Sequence, residues 1–181
     1  TDITAQVVGA CSPTDGRPLV DIVDDAMEQK GTGRWAVEAA LEFGAAIPTI
    51  AEAVLARTLS SNYALRQESM GARVEGSHHV RVFNKADENR IASALALALA
   101  STYAQGLTLL SAANDTFGSP LNHGDILRTW RQGCILSGEM VASLIEAYDS
   151  DRKNALSGGV FPGVVHTGLL ALRRFTAEAI N

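Results

Sequence analysis

Apolar residues recur every three to four positions along most of the chain, and this spacing predicts amphipathic helices. The segment HVRVF is a weak strand candidate, and residues 19–29 fit either a short extended segment or a helix. The predicted helices cover residues 1–10, 33–43, 48 to about 67, 84 to about 116, about 122–132, about 135–148 and 164–180. With six or so helices and almost no strand, the predicted fold class is all-α.

Residues that favour helix ends occur where several of these patterns begin or stop. Thr32 is the expected N-cap of the second helix, and Gly44 is expected just beyond its end. Pro48 suits the first turn of the next helix, since proline lacks an N–H that would otherwise need a partner. Asn84, followed by acidic residues, is expected to start the long helix, which ends before Gly118.

The composition is that of an ordinary globular protein, with 46% apolar and 19% charged residues in 181 positions. This length suits one domain with a sizeable core, so residues 1–181 are expected to form a single helical domain. A formal charge of −5 without a basic patch argues against nucleic-acid binding. Cys11 and Cys134 have no paired spacing and are expected to be reduced thiols. No signal peptide is recognised, so a cytoplasmic protein is expected.

Residues 91–110 are apolar over a length that could span a bilayer. The stretch also contains Ser93, Thr102 and Gln105, and much of its apolar content is alanine. A helix that is apolar on nearly all sides is also typical of the centre of a soluble protein. We favour this second interpretation and expect no membrane partner.

The segment QKGTGRW places Lys30 and two glycines directly before a helix. The unpaired N–H groups of a helix start favour an anion, and glycines let a ligand approach the backbone closely. The motif is not a P-loop, because its lysine precedes the glycines. A flexible loop with a capping residue explains the same pattern, so the sequence leaves both interpretations open.

Arg57 lies in the middle of a helical face formed mainly by small and apolar residues. No residue three or four positions away from it is acidic. If its side chain points inward, it needs an anion, because an unpaired buried charge is costly. A salt bridge to another helix, or an arginine at the surface, are the alternatives.

Other polar residues give weaker signals. His78 and His79 lie in a glycine-containing loop without the spacing of a metal site, while His123 and His166 are isolated. Neither a nucleophile with a recognisable base nor a GxGxxG segment occurs in the sequence. Trp130 and Tyr103 lie on helical stripes and are expected in the core. No metal site, catalytic residue or cofactor-binding residue is predicted.

Four sequence blocks together resemble the C-terminal helical domain of the 6-phosphogluconate dehydrogenase family. They occur in the family's order and span most of the chain. The Lys-Gly-Thr-Gly and Trp-Arg-x-Gly-Cys patterns within them are the most specific. The blocks are QKGTGRW, EAVLARTLSS, TYAQGLTLL and LNHGDILRTWRQGCIL.

The resemblance implies oxidative decarboxylation of 6-phosphogluconate to ribulose 5-phosphate in the pentose phosphate pathway, with NADP⁺ as hydride acceptor and no metal. It assigns substrate contacts to Lys30 and Thr32, and the substrate phosphate to Arg57. It also implies a homodimer formed through this domain. The residue-level candidates Lys30 and Arg57 are thereby expected to bind the same phosphorylated ligand.

Several parts of the family pattern are not found in these residues. They are the nucleotide-binding Rossmann domain, the helix with the general-base lysine and general-acid glutamate, and the C-terminal tail that reaches the neighbouring subunit. Arg34 stands where lysine is commoner in the family. We therefore expect a fragment that binds substrate, with NADP bound mainly elsewhere. The alternatives are the helical domain of another β-hydroxyacid dehydrogenase and a non-catalytic dimerisation module.

Overall fold

The computed structural model describes residues 2–24, 26, 30–71, 84–134, 136, 138–150 and 162–180. Within these residues the regular structure is helical, and an isolated bridge between Cys11 and Pro18 is the one strand-like pairing. The all-α prediction is therefore confirmed. The helices are α1 (Asp2–Gly9), a 3-10 helix (Leu19–Asp21), α2 (Thr32–Phe43), α3 (Pro48–Ser61), α4 (Tyr63–Gly71), α5 (Lys85–Phe117), α6 (His123–Gly133), α7 (Glu139–Asp149) and α8 (Pro162–Ile180).

The chain divides into two compact units. Unit 1 comprises Thr1–Gln29 and Ala56–Val74, and unit 2 comprises Lys30–Leu55 and Glu75–Asn181. In unit 1, α1 leads into a turn, where the Ser12 N–H donates to the Arg17 carbonyl at 2.8 Å. The undecided stretch after this turn begins with the 3-10 helix, while residues 25 and 27–29 lie outside the described part of the chain.

Unit 1 also contains the junction between α3 and α4, where we had expected one helix to about residue 67. The expectation is wrong because Asn62 interrupts the pattern. Its side-chain oxygen accepts a hydrogen bond from the Leu65 N–H at 3.1 Å, which is the geometry of an N-cap that starts a new helix. Arg66 of α4 lies over the Tyr63 ring, 5.6 Å from its centroid.

Unit 2 is built around α5, which packs most extensively against α8 and also contacts α2. A capping box starts α5: Asn84 accepts from backbone N–H groups in the first turn, and the Asp87 carboxylate accepts from the Asn84 N–H. Gly118, in the left-handed conformation, ends it. Both ends agree with the prediction, since these signals are local to the sequence.

The core of unit 2 lies where α5, α6 and α7 meet. Its buried members are Ala100, Leu107, Leu127, Val141, Leu144 and Ile145. Tyr103 and Trp130 pack against this cluster while partly buried, as predicted. At the other end of α5, Phe117 meets Phe43 of α2 edge-to-face, with ring centroids 5.4 Å apart.

The long helix α5 is the one helix among the described residues that is long and apolar enough to cross a membrane, and 17% of its most apolar window is buried. A core helix of a soluble protein passes the same test. Its apolar side chains Ile91, Leu95 and Leu99 are 42%, 44% and 41% exposed, so part of its surface is left uncovered by this chain.

The remaining predictions differ from the structure mainly at helix ends. The α7 helix starts at Glu139 rather than near residue 135, and residues 135 and 137 lie outside the described part. The HVRVF strand candidate, the histidines His78 and His79, and residues 151–161 also lie outside it.

Candidate functional site

The Lys30–Gly33 turn forms the start of α2 in unit 2. Gly31 adopts a φ of +98°, which is a conformation that side-chain-bearing residues rarely occupy, and its carbonyl accepts from the Trp35 N–H at 3.0 Å. Gly31 is therefore the N-cap residue, and Thr32 is the first residue of the helix. The prediction that Thr32 is the N-cap is wrong by one position, because the left-handed turn occurs at the glycine.

The polar side chains of the turn are exposed to solvent. Gly31 has no side chain to bond the first N–H groups of α2, and both Lys30 and Thr32 are exposed to solvent. Lys30 forms no ion pair with another described residue. Chemically, the turn offers a cation, a hydroxyl group and a helix N-terminus, a combination that suits an anion with hydroxyl groups.

The second glycine of the turn fixes how closely α2 approaches α3. A Cβ atom at Gly33 would lie 2.9 Å from Cγ2 of Val54 on α3, so the two helices meet where only glycine fits without movement. The start of α2 therefore rests directly on the part of α3 that belongs to unit 2.

Arg57 lies further along α3, in unit 1. Its side chain is exposed, and α3 has no buried residue. Of the alternatives that the sequence left open, the exposed position of Arg57 agrees with an arginine at the surface. The face that we expected to be buried contains small residues such as Ala53 and Ser61, which are exposed and provide little apolar area to drive burial.

The helix side opposite Arg57 is exposed as well. Leu55 and Leu59, which suggested burial there, are 63% and 58% exposed. Of the three predicted substrate residues, Lys30 and Thr32 lie in the Lys30–Gly33 turn of unit 2, whereas Arg57 lies in unit 1.

A polar cavity that sequence reasoning did not predict lies in unit 2. It has a volume of about 660 Å³ and is lined by Ser111, Pro120, Leu121, Asn122, His123, Arg128, Tyr148 and Asp149. The His123 Nε2 atom lies 3.2 Å from the Ser111 hydroxyl, and the imidazole packs against the Tyr148 ring. Arg128 is paired with Asp125 and Asp149.

Burial shifts the ionisation of two groups in this cavity. It lowers the pKa of His123 below 6.5, against a smaller opposing effect of a hydrogen bond to the Leu107 backbone. It also raises the pKa of Tyr148 above 10.0. The sequence contained no signal for this cluster, because Ser111 and His123 are brought together by the packing of α5 against the start of α6.

Among the described residues, no group of three or more histidine, cysteine, aspartate or glutamate side chains could hold a metal ion. Cys11 and Cys134 are both free thiols at exposed positions.

Comparison with known proteins gives consistent results. Residues 1–181 match the family described as 6-phosphogluconate dehydrogenase, C-terminal domain. A 6-phosphogluconate dehydrogenase, decarboxylating, from Synechococcus elongatus is 39% identical over 169 residues, which are 91% of this chain and 36% of the relative. The NADP(+)-dependent, decarboxylating enzyme of Bacillus subtilis is 31% identical over 183 residues, which are 99% of this chain and 39% of that enzyme.

A solved structure agrees with these matches. The 6-phosphogluconate dehydrogenase of Plasmodium falciparum, studied without ligand, with its cofactor NADP⁺ and with its substrate 6-phosphogluconate, superimposes with a TM-score of 0.86 at 28% identity. The match covers 99% of this chain and 39% of the other. The chain thus spans well under half the length of its relatives. These 181 residues belong to the family of 6-phosphogluconate dehydrogenase C-terminal domains.

Proposed function

We propose that this chain is the substrate-binding and dimerisation domain of an NADP-dependent 6-phosphogluconate dehydrogenase of the pentose phosphate pathway. The reaction is the oxidative decarboxylation of 6-phosphogluconate to ribulose 5-phosphate. The observation that carries the proposal is the Lys30–Gly33 turn. It bears the family's Lys-Gly-Thr-Gly pattern and presents Lys30 and Thr32, both exposed, beside the N-terminus of α2.

In this proposal, Lys30 and Thr32 contact the substrate, and Arg57 holds its phosphate group. A guanidinium binds phosphate through two parallel hydrogen bonds, and a lysine cannot reproduce this arrangement. The exposure of Arg57 is compatible with this role, because a side chain that binds a soluble ligand must be accessible. Each assignment rests on the match of that residue to the family pattern.

The residues of this chain do not fit a dinucleotide site of the Rossmann type. Such a site needs a β-strand that leads through a glycine-rich turn into a helix. The regular elements of the described residues are helices, and the sequence has no GxGxxG segment. We propose that NADP⁺ is bound by a part of the full-length protein outside these residues, and that the acid–base groups also lie there.

We also propose a cytoplasmic homodimer. The apolar side chains of Ile91, Leu95 and Leu99 follow one another at four-residue intervals on α5 and are partly exposed. A face of this kind is typical of the core of a subunit interface. A cytoplasmic location is consistent with the relatives, which are named 6-phosphogluconate dehydrogenases.

The proposal is tested by assaying NADPH formation with the full-length gene product and with the isolated 181-residue chain. We expect turnover of 6-phosphogluconate by the full-length protein and none by the isolated chain, which lacks the groups for hydride and proton transfer. Gluconate serves as the control substrate, because it has the same acid and hydroxyl groups without the phosphate.

The outcomes separate the alternatives. Oxidation of an unphosphorylated β-hydroxyacid in preference to 6-phosphogluconate would indicate another β-hydroxyacid dehydrogenase. A full-length protein that oxidises neither would indicate a non-catalytic dimerisation module. Turnover by the isolated chain would contradict the assignment of the catalytic groups to another part of the protein.

A further inference from the structure

The start of α3 is capped by a side chain from another helix. The Oε1 atom of Gln105, on α5, accepts hydrogen bonds from the backbone N–H groups of Thr49 at 2.9 Å and Ile50 at 3.4 Å. Its Nε2 atom donates to the Thr49 hydroxyl at 2.8 Å. All three hydrogen bonds of this arrangement lie within unit 2.

The local sequence of α3 does not provide this cap. The residue before Pro48 is Ile47, whose apolar side chain is buried and cannot accept a hydrogen bond. Pro48 itself has no N–H, so Thr49 and Ile50 carry the first N–H groups of the helix that need an acceptor. Gln105 supplies this acceptor from more than fifty positions along the chain, in the place that an N-cap side chain normally occupies.

The same part of α3 supports the Lys30–Gly33 turn. Val54 lies one turn beyond Ile50 and packs against the backbone at Gly33, where a Cβ atom would be only 2.9 Å from Cγ2 of Val54. A translation of α3 along its axis, or a rotation about it, would therefore push Val54 against the backbone of the turn. Gly33 has no side chain that could move aside and relieve this contact.

We infer that Gln105 is a positioning residue for substrate binding. By capping α3 it fixes Val54, and Val54 fixes the Gly33 backbone and the adjacent side chains of Lys30 and Thr32. In this inference Gln105 acts on substrate binding through α3 and the turn. The inference rests on the proposed function, since it assumes that the turn binds 6-phosphogluconate.

The test compares Gln105→Leu with Gln105→Glu in the full-length gene product. Leucine keeps the approximate size but removes the acceptor, whereas glutamate keeps an oxygen for both N–H groups and can accept from the Thr49 hydroxyl. Loss of a helix cap corresponds to about two- to thirtyfold in an equilibrium constant. We expect Gln105→Leu to raise the KM for 6-phosphogluconate by about this factor, with an unchanged KM for NADP⁺. For Gln105→Glu we expect a KM for 6-phosphogluconate close to that of the wild type.

Asn114→Leu is the matched control. Asn114 is also an α5 amide that accepts from a backbone N–H elsewhere in unit 2, that of Leu121 at 3.0 Å. We expect both leucine variants to lower Tm, but only Gln105→Leu to change the KM for 6-phosphogluconate. A KM that stays within about twofold of wild type, or an equal rise in Asn114→Leu, would overturn the inference. If Gln105→Leu does not fold, Gln105→Asn, whose amide is one methylene too short, takes its place with the same criteria.

Failure of the proposed function gives a different result. In that case the wild-type protein does not turn over 6-phosphogluconate at all. Amide hydrogen exchange then measures the cap directly: exchange at Thr49 and Ile50 should be faster in Gln105→Leu than in Asn114→Leu. Equal exchange in the two variants would show that Gln105 does not hold the start of α3.

Discussion

At the scale of single residues, His123 links packing to the pH dependence of stability. Burial lowers the pKa of its imidazole below 6.5 in the folded protein, whereas the unfolded chain has the ordinary value. Between these two pKa values the unfolded state binds more protons than the folded state. The free energy of unfolding should therefore be fully retained above about pH 6.5 and should decrease as the pH falls below it.

Urea denaturation at about pH 7.5 and about pH 5.5 checks this prediction. Replacing His123 by glutamine should reduce the difference in unfolding free energy between the two conditions. His166→Gln is the control, because His166 is exposed on α8. An unchanged difference in the His123 variant would contradict the burial of the neutral imidazole.

The chemical nature of the Lys30–Gly33 turn was predictable from the sequence, but its geometry was not. A lysine, two glycines and a threonine before a helical pattern identify an N-terminus, which is a local property. Which residue occupies the N-cap depends on the backbone, and Gly31 takes the left-handed conformation there. The exposure of Arg57 depends on which helices cover α3, and a single helical pattern contains no such information.

At the scale of helices, α8 crosses α5 closely at Gly168. A methyl group at Gly168 would collide with Cβ of Leu97 and lie 2.9 Å from the Ser93 carbonyl oxygen. Because a backbone oxygen cannot move aside as a flexible side chain can, Gly168→Ala should separate the two helices.

We expect Gly168→Ala to lower the free energy of unfolding by about 1–3 kcal/mol, as other overpacked sites do. Gly163→Ala is the matched control on the same helix, since a Cβ at Gly163 meets no atom within 4 Å. Chemical denaturation of both variants measures their free energies of unfolding. An equal effect of the two substitutions would contradict the close crossing at Gly168.

Helix ends were predictable where the capping residue lies beside the helix. Asn84 and Gly118 bound α5 as expected, because each acts on the turn next to it. The cap of α3 was not predictable, because Gln105 and Thr49 are distant in sequence and meet only after α5 has packed. At Asn62 the prediction failed although the cap is local. The helical pattern of apolar residues continues across Asn62, but the Asn62 side chain caps a new helix there and so separates α3 from α4.

At the scale of the whole molecule, the exposed apolar residues of α5 predict self-association. We expect the full-length protein to sediment as a dimer at micromolar concentration. Leu95→Glu places a charge in the middle of the exposed stripe and should weaken the dimer, because a charge buried in an apolar interface is costly. Val20→Glu is the control: Val20 is 51% exposed but lies in unit 1, outside this stripe. A wild-type monomer, or equal dissociation in both variants, would contradict the assignment.

The central claim is that residues of this domain hold the phosphate end of 6-phosphogluconate, and the kinetics of Arg57→Lys test it most directly. Lysine keeps the charge but loses the paired hydrogen bonds of the guanidinium, a loss of about 1.5–3 kcal/mol that corresponds to roughly ten- to hundredfold in binding. We therefore predict that Arg57→Lys in the full-length protein raises the KM for 6-phosphogluconate by this factor and leaves the KM for NADP⁺ nearly unchanged. Arg17→Lys, at an exposed arginine of the same unit that pairs with Asp15, should alter neither. An Arg57→Lys enzyme with the wild-type KM for 6-phosphogluconate would contradict the account.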